Sequence, residues 1–280
     1  MPARRWLPPP LAERARAFVA GGLTPVQPHA AATVILLRDA AQGLEVYVLR
    51  RRSSMAFAAG MHAFAGGRVD TRDVADEGIA WFGLDPAGWA ARLGTDEPSA
   101  RGFLCAAVRE TFEEAGVLLA EPNVRADGAG WEADREALVD RRLSLSELFE
   151  RRGLAVRSDL LAPWAHWITP RFERRRYDTW FFAAALPDGQ QARDVSGEAD
   201  HADWIRPPAA IAAADRGDAM MLPPTRVVLE QLAGYDSVDA VMRAAADRVI
   251  ETIMPGWVDD GDTVWALLPG DPGYPGDDLR

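Results

Sequence analysis

The sequence has no lysine, and it has only one cysteine, Cys105, among its 280 residues. A single cysteine excludes a disulfide within the chain, which is typical of proteins from a reducing compartment. No apolar run approaches the roughly 20 residues that a membrane-spanning helix needs, and the first residues lack the pattern of a secretory signal. We therefore expect a cytoplasmic protein with no membrane partner.

The chain has fewer basic than acidic residues, and every basic residue is an arginine. The 31 basic residues face 42 acidic ones, which gives a net charge of −11. Such a charge repels the backbone of nucleic acids, so we expect no nucleic-acid partner. The chain is 48% hydrophobic and can bury a large core, as one decorated domain or as a domain with a subdomain.

The most informative stretch covers residues 109–117 and reads RETFEEAGV. Its glutamates are Glu110, Glu113 and Glu114, and this spacing places them on one face of a helix that ends near Gly116. The opposite side is a core-facing stripe of Leu104, Val108, Thr111 and Ala115. Clustered carboxylates repel one another and therefore favour the binding of a cation, and oxygen ligands favour Mg²⁺ or Mn²⁺ over zinc. Taken alone, the motif could also be a solvated acidic helix face.

Upstream of this stretch, residues 60–70 read GMHAFAGGRVD and contain the double glycine Gly66–Gly67. Such a pair lets backbone atoms approach a phosphate or a metal closely. Together with RETFEEAGV, the loop resembles the Nudix box, the signature of diphosphate hydrolases. The resemblance extends over roughly residues 30–210 and is strongest at these two motifs.

The box is incomplete in two ways. Arg101 stands eight residues before Arg109, where the usual box has a glutamate, and Asp70 or Asp73 could anchor the loop in its place. A segment of about residues 71–100 also separates the two halves. This chain is similar in that respect to the Nudix branch with a long insertion, which includes peroxisomal coenzyme A diphosphatases.

The resemblance implies an α/β fold, the Nudix α/β/α sandwich with a mixed sheet, a helical insertion and a helical C-terminal extension. We expect an N-terminal capping segment over 1–27, a Nudix domain over 28–215, and a helical extension with an irregular tail over 216–280. Periodicity predicts strands at 32–37, 44–49, 62–65, 117–120, 164–169, 177–186 and 202–205. It predicts helices at 11–20, 132–142, 146–152, 207–214, 224–233 and 238–249.

The resemblance also implies roles for the motif residues. Glu113 and Glu114 would bind the metal, joined by a backbone carbonyl of the Gly66–Gly67 pair, which would also contact substrate. Glu110 would either bind metal or act as the base on the attacking water, and the sequence leaves both roles open. Arg109 would complete the catalytic set by orienting a carboxylate, with Glu113 four residues on.

Nudix enzymes often take a further metal-binding carboxylate from a loop near the last strand. Glu198 lies where that residue is expected, with Asp200 as a competitor and a plain acidic turn as the alternative. The run at 171–176 holds four arginines, some of which would bind a phosphate or the 3′-phosphate of coenzyme A while the others are solvated. Arg174 and Arg176 would project to the same side of an extended segment, which makes them the sharper pair. The histidines at 62, 166 and 201 are expected to be hydrogen-bonded structural residues.

The substrate is the least determined part of the prediction. Residues 49–53 (LRRRS) match part of a pattern found in coenzyme A diphosphatases of the family, which makes Arg52 a substrate-binding candidate. We expect a metal-dependent hydrolase of a nucleoside diphosphate derivative, coenzyme A or acyl-coenzyme A, with ADP-ribose or a dinucleotide as alternatives. A Nudix-fold sensor that binds a nucleotide without cleaving it is a second hypothesis. A partner-binding scaffold is a third, although residues 224–249 would rather pack on the domain or in a homodimer.

Overall fold

The computed structural model describes residues 5–7, 9–52, 60–75, 78–195, 197 and 199–274. These residues belong to two compact units. The smaller unit comprises residues up to 30, residues 165–179 and residues from 250 onward. The larger unit comprises 31–164 and 180–249. Three strands (residues 29–40, 161–168 and 177–185) contribute residues to both units, so neither unit is a single continuous segment.

The strands, in chain order, are β1 (Arg5–Trp6), β2 (His29–Ala40), β3 (Gly43–Arg51), β4 (His62–Ala63), β5 (Ala65–Arg68), β6 (Ala80–Phe82), β7 (Ala120–Glu121), β8 (Ala155–Arg157), β9 (Leu161–Ile168), β10 (Tyr177–Ala185), β11 (Ala199–Ile205), β12 (Thr252–Ile253), β13 (Gly256–Asp259) and β14 (Val264–Leu267). The helices are α1 (Pro9–Val19), α2 (Thr71–Ala75), α3 (Pro86–Leu93), α4 (Glu97–Ala115), α5 (Ala129–Val139), α6 (Leu145–Arg152), α7 (Pro207–Asp215), α8 (Pro223–Leu232) and α9 (Val238–Ala246). A single 3₁₀ turn is described at Ser158–Leu160. The predicted mixed α/β class is confirmed.

The sheet of the larger unit has the strand order β11-β3-β2-β10-β9, with β4 paired to β3 and β5 paired to β2. The strands predicted at 32–37 and 44–49 are confirmed as β2 and β3, which form a hairpin and pair antiparallel from Leu37 opposite Val46 to Ala40 opposite Gly43. A second, mixed sheet of order β6-β8-β7 joins the insertion to the chain beyond α4. The glycine loop therefore lies on a strand of the main sheet, in β5.

Helix α4 contains the whole acidic motif and begins twelve residues before Arg109. Asp96 caps its N-terminus by accepting a hydrogen bond from the Ser99 N–H at 2.7 Å. Gly116 ends it with a φ of 67°, a left-handed conformation that glycine adopts without strain. The predicted core-facing residues are fully buried: Leu104, Val108, Thr111 and Ala115.

The insertion is helical, as predicted, and it packs on α4 through its own apolar side chains. A Cβ atom on Gly102 of α4 would lie 2.9 Å from the side chains of Val69 and Val74, so α2 approaches the helix closely. Trp89 of α3 is buried and contacts Phe182 edge-on, with ring centroids 5.9 Å apart. The insertion is therefore part of the core of the larger unit.

Two predictions about secondary structure are wrong. The apolar run 117–120 is not a strand before Ala120, because the side-chain amide of Gln190 takes the place of a neighbouring strand. Its Oε1 accepts from the Leu118 N–H at 2.9 Å, and its Nε2 donates to the Leu118 carbonyl at 2.8 Å. The tail after Pro255 is not largely irregular: β13 and β14 pair antiparallel, and β1 pairs with β14.

The smaller unit has a core of its own. The ring of Trp257 packs edge-on against Phe172 at 4.8 Å and against Phe18 of α1 at 5.8 Å, as measured between ring centroids. Trp257 thus anchors the tail within this unit. Among the helices that the structure describes, none is both long and apolar enough to cross a lipid bilayer.

Candidate active site

The guanidinium of Arg109 is the centre of the acidic site. Its side chain is only 9% exposed, and Nη1 donates to Oε1 of Glu110 at 2.7 Å and to Oε2 of Glu113 at 3.2 Å. Nη2 donates to the backbone carbonyl of Arg68 at 2.9 Å. The contact with Glu113 is the one that the helical spacing predicts. Arg109 therefore joins two of the three motif glutamates to the strand that carries the glycine loop.

The third carboxylate at Arg109 comes from the insertion. Asp73 accepts from Nε at 3.1 Å and from Nη2 at 2.8 Å, and its side chain is almost completely buried. The Asp70 N–H also donates to Asp73 at 2.8 Å, which fixes the carboxylate in place. Of the two aspartates left open by the sequence, the one that contacts Arg109 is Asp73. Asp73 lies six residues after Gly67, so counting from the glycine loop identifies it. Counting eight residues back from Arg109, where the usual box has its glutamate, leads to Arg101 instead.

Arg101 has a different environment. It pairs with Glu97, one helical turn earlier, at 2.9 Å, and its Nη1 donates to the carbonyl of Val74 at 3.4 Å. It therefore fastens the end of α2 to α4 instead of contributing a carboxylate to the site.

The double glycine lies directly against the motif glutamates. The Gly66 N–H donates to Oε2 of Glu114 at 2.9 Å, and Glu114 is buried. A Cβ atom on Gly67 would lie 2.6 Å from Cδ of Glu110, and one on Gly66 would lie 2.7 Å from the Cα atom of Thr33. Neither position has room for a side chain, so glycine is required here for close approach.

We expect Gly67→Ala to lower kcat by about a hundredfold, because the new methyl group displaces the carboxylate of Glu110. Steady-state kinetics on the variant, with circular dichroism to verify its fold, would measure this. Gly234→Ala, at an exposed turn where the new methyl group would lie 3.9 Å from the carbonyl oxygen of Gln231, is the matched control and should keep its turnover. Equal losses in the two variants would contradict the steric explanation.

Electrostatics set Glu113 apart from an ordinary surface carboxylate. Its pKa is raised to about 7, mainly by burial and also by the neighbouring charge of Glu110, while Arg109 offsets part of these effects. The backbone carbonyl of Glu113 also accepts from Nη1 of Arg135 at 3.2 Å. Arg135 is a buried residue of α5 that the sequence did not single out, and its cation stabilises the carbonyl end of α4.

The donors at this site suit a hard divalent cation, because they are carboxylate oxygens beside a glycine loop with free approach to its backbone. A cation between Glu110 and Glu113 would also relieve the repulsion that raises the pKa of Glu113. No group of three or more acidic, histidine or cysteine side chains in the described part of the chain is already arranged around a metal position. Glu114 would have to exchange its bond to Gly66 for a metal bond.

The remaining predicted site residues lie elsewhere. Arg52 follows β3, is half-exposed, and lies 3.9 Å from Oδ1 of Asp200. Glu198 lies outside the described residues. Arg174 is exposed in the smaller unit. Arg176 is buried in the same unit and donates to the carbonyls of Thr169 at 3.0 Å and residue 26 at 2.8 Å. Its donors are engaged by the backbone, which favours a structural role for Arg176 and leaves Arg174 as the phosphate candidate of the pair.

The prediction of a structural histidine is confirmed at His166. Its Nδ1 shares a hydrogen bond of 2.8 Å with the hydroxyl of Thr252, and its Nε2 shares one of 2.5 Å with Asp178. These three residues hold β12, β9 and β10 together within the smaller unit.

Comparisons with known proteins show which family the chain resembles. A family model described as the NUDT19 Nudix domain matches residues 15–232. The chain is 28% identical to the acyl-coenzyme A diphosphatase NUDT19 of Gallus gallus, over 83% of this chain and 73% of the relative. It is 26% identical to the Homo sapiens protein of the same name, over 84% and 73%. A crystal structure of a NUDIX hydrolase from Alicyclobacillus acidocaldarius aligns with a TM-score of 0.63 and 27% identity, over 78% of this chain and 96% of that one.

Proposed function

Because the chain belongs to the NUDT19 Nudix domain family and is a Nudix-type diphosphatase, we propose that its substrates are coenzyme A and acyl-coenzyme A. Nudix hydrolases generally use divalent metal ions, and we propose Mg²⁺ or Mn²⁺ for this one. A cytoplasmic location and a homodimer stay predictions from the sequence.

The observation that carries the proposal is the arrangement of carboxylates around one buried guanidinium beside the glycine loop. Arg109 holds Glu110 and Glu113 next to each other, and the Gly66 N–H holds Glu114. A diphosphate is a crowded dianion, so its cleavage requires neutralised oxygens, an in-line water and a stabilised leaving group. This site gathers the carboxylates of Glu110, Glu113 and Asp73 around a single guanidinium, with Glu114 at the glycine loop, and a divalent cation would balance the excess of negative charge.

Each side chain then has a defined task. Glu113 and Glu114, with a backbone carbonyl of the Gly66–Gly67 pair, would hold the cation, which when bound neutralises charge on the diphosphate oxygens. Glu110 serves either as a further ligand or as the base that accepts a proton from the attacking water. Arg109 acts through these carboxylates by fixing their orientation, and it does not contact substrate itself. Because Gly67 has no side chain, the carboxylate of Glu110 can lie against the loop.

We propose coenzyme A derivatives as substrates, ahead of other diphosphates, for two reasons. Two relatives that match more than four fifths of this chain are named acyl-coenzyme A diphosphatases, and residues 49–53 match part of the coenzyme A pattern. ADP-ribose and dinucleotides contain the same diphosphate linkage and are the alternative substrates. The three intact motif glutamates favour an enzyme over a nucleotide sensor without activity.

A substrate panel tests the proposal. The protein is incubated with Mg²⁺ or Mn²⁺ and with coenzyme A, ADP-ribose, NADH or diadenosine polyphosphates, and the products are identified by chromatography. We expect coenzyme A to yield 3′,5′-ADP and 4′-phosphopantetheine. Cleavage of ADP-ribose but not of coenzyme A would contradict the proposed substrate. If metal-loaded protein released no product from any of these compounds, the hypothesis of a nucleotide sensor without activity would be supported.

A further inference from the structure

The hydroxyl of Tyr47 is a buried polar group without a partner. Tyr47 lies in β3, packs against the ring of Trp204 and is only 3% exposed. Its hydroxyl oxygen makes no hydrogen bond to any residue that the structure describes. Leaving a buried hydroxyl without a hydrogen bond lowers stability, so such a group in a native protein calls for a functional explanation.

Strand alternation places Tyr47 on the face of the sheet that carries the acidic site. A Cβ atom on Gly67 would lie against a motif glutamate, so the Gly67 side of the sheet faces α4. Ala32 of β2 lies opposite Gly67, and Arg38 is an even number of residues along the same strand, so both project from that face. Arg38 lies opposite Glu45 of β3, and Tyr47 follows Glu45 by two residues. The phenol therefore projects to the same side as the carboxylates.

Tyr47 is also close to the glycine loop along the sheet. The strands β3 and β5 pair with successive parts of β2, because β10 occupies the other edge of that strand. Gly66 lies opposite Thr33, and the hairpin register, continued by one residue, places Tyr47 beside Leu36. The two positions on β2 are three residues apart, which corresponds to about 10 Å along the strand. Tyr47 is thus a neighbour of the backbone N–H that holds Glu114.

The charge of a motif glutamate reaches the phenol. Burial raises the pKa of Tyr47 above its ordinary value. Three carboxylates raise this pKa as well through their negative charges: Asp194, Asp203 and Glu114. The phenol therefore stays protonated at neutral pH and can act as a hydrogen-bond donor.

Glu114 requires another hydrogen-bond donor if it is to bind a cation. Its Oε2 accepts from the Gly66 N–H at 2.9 Å, and a metal bond would replace that hydrogen bond. Carboxylates that bind metals are themselves held by hydrogen bonds, which fix their orientation. The hydroxyl of Tyr47 suits this task, because it is neutral, protonated and not engaged by any described residue.

We propose that Tyr47 is a positioning residue for Glu114, and that its hydroxyl donates to the Glu114 carboxylate when this side chain leaves the Gly66 N–H to hold the divalent cation. This inference rests on the proposed function, because it assigns a support to one of the proposed metal ligands. Without the cation, the buried hydroxyl is unbonded and lowers stability. With the cation, it gains a charge-assisted hydrogen bond, which favours the metal-bound state. Tyr47 itself contacts neither the cation nor the substrate.

The test removes only the hydroxyl, in Tyr47→Phe. We expect the Kd for Mn²⁺, measured by calorimetry without substrate, to rise about tenfold. Without metal the variant should melt no lower than the wild type, because the group that is lost makes no hydrogen bond. Its melting temperature should rise less than that of the wild type when Mn²⁺ is added. The matched control is Tyr274→Phe, which removes a hydroxyl that donates to the Met254 carbonyl at 2.8 Å. It should melt lower and bind Mn²⁺ like the wild type.

A double variant tests whether the hydroxyl acts through Glu114. In a Glu114→Gln background the carboxylate is gone, so Tyr47→Phe should change the Kd for Mn²⁺ by less than about twofold. Additive losses in the double variant would overturn the inference, and so would an unchanged Kd in Tyr47→Phe alone. A higher KM for coenzyme A at unchanged Mn²⁺ affinity would overturn it as well, because the hydroxyl would then contact the substrate. If the wild type binds no divalent cation, the proposed function fails together with this inference, whereas normal Mn²⁺ binding by Tyr47→Phe overturns this inference alone.

Discussion

Replacing Glu113 with glutamine should lower kcat for diphosphate hydrolysis by about a thousandfold while leaving the fold intact. The amide keeps an oxygen that can accept from Nη1 of Arg109, so the packing around the guanidinium survives. What is lost is a negative charge that a divalent cation would bind. Kinetics at saturating Mg²⁺ and Mn²⁺, together with thermal melting with and without the ion, measure the two effects separately.

The raised pKa of Glu113 fixes the sign of the stability change. Its folded value of about 7 lies above the usual value of a glutamate, so the ionised form is disfavoured in the folded state. The carboxylate therefore lowers stability above about pH 7, and stability recovers as pH falls through that value. At pH 8 without metal, Glu113→Gln should melt no lower than the wild type, and it should gain less stability than the wild type when Mg²⁺ is added.

The matched control is Glu97→Gln, which removes a half-exposed glutamate from the first turn of the same helix. It should keep wild-type turnover and the wild-type response to Mg²⁺. Wild-type turnover in Glu113→Gln would remove this residue from the proposed metal ligands.

Replacing Asp73 with alanine should have the largest effect on stability. It deletes the hydrogen bonds that Nε and Nη2 of a buried guanidinium make with Asp73, and among the described residues Glu110 and Glu113 are left as its charged partners. We expect a loss of about 3 kcal/mol in the free energy of unfolding, measured by urea denaturation. We also expect kcat to fall at least about tenfold, because an unanchored Arg109 no longer fixes the two glutamates.

Two further variants separate positioning from simple loss of stability. Asp73→Glu keeps the charge and should recover part of kcat, whereas Asp73→Asn keeps the shape and should not. Asp70→Asn is the control, since Asp70 pairs with Arg72 and not with Arg109. If Asp73→Ala were to melt lower but keep its kcat, the aspartate would be structural only.

The sequence alone predicts those features of the fold and the site that depend on residues close together in the chain. The buried stripe from Leu104 to Ala115 and the end of α4 at Gly116 follow from helical spacing and from the conformational freedom of glycine. The contact from Arg109 to Glu113 follows from the same spacing, because residues four apart meet on a helix.

The rest depended on residues far apart in the chain. Asp73 and Arg109 are 36 positions apart, and Asp70 offered the same chemistry at nearly the same place. The pairing of β1 with β14 joins the two ends of the chain, which no local pattern predicts, although β14 also pairs with its neighbour β13. The side chain of Arg176 is likewise buried because it donates to the backbone carbonyls of Thr169 and residue 26, which belong to separate segments.

The ion pair between Asp73 and Arg109 has a consequence for how this protein can change over time. Since Asp73 lies in α2 and Arg109 in α4, the two ends of the insertion are pinned at the acidic site by their own contacts. The helices between these two contacts are held as well, because Trp89 packs on Phe182 in the core and β6 pairs with β8. Changes of length are therefore tolerable only in the exposed turns between the packed elements, where doubling a flexible loop costs only about 0.6 kcal/mol in closure entropy.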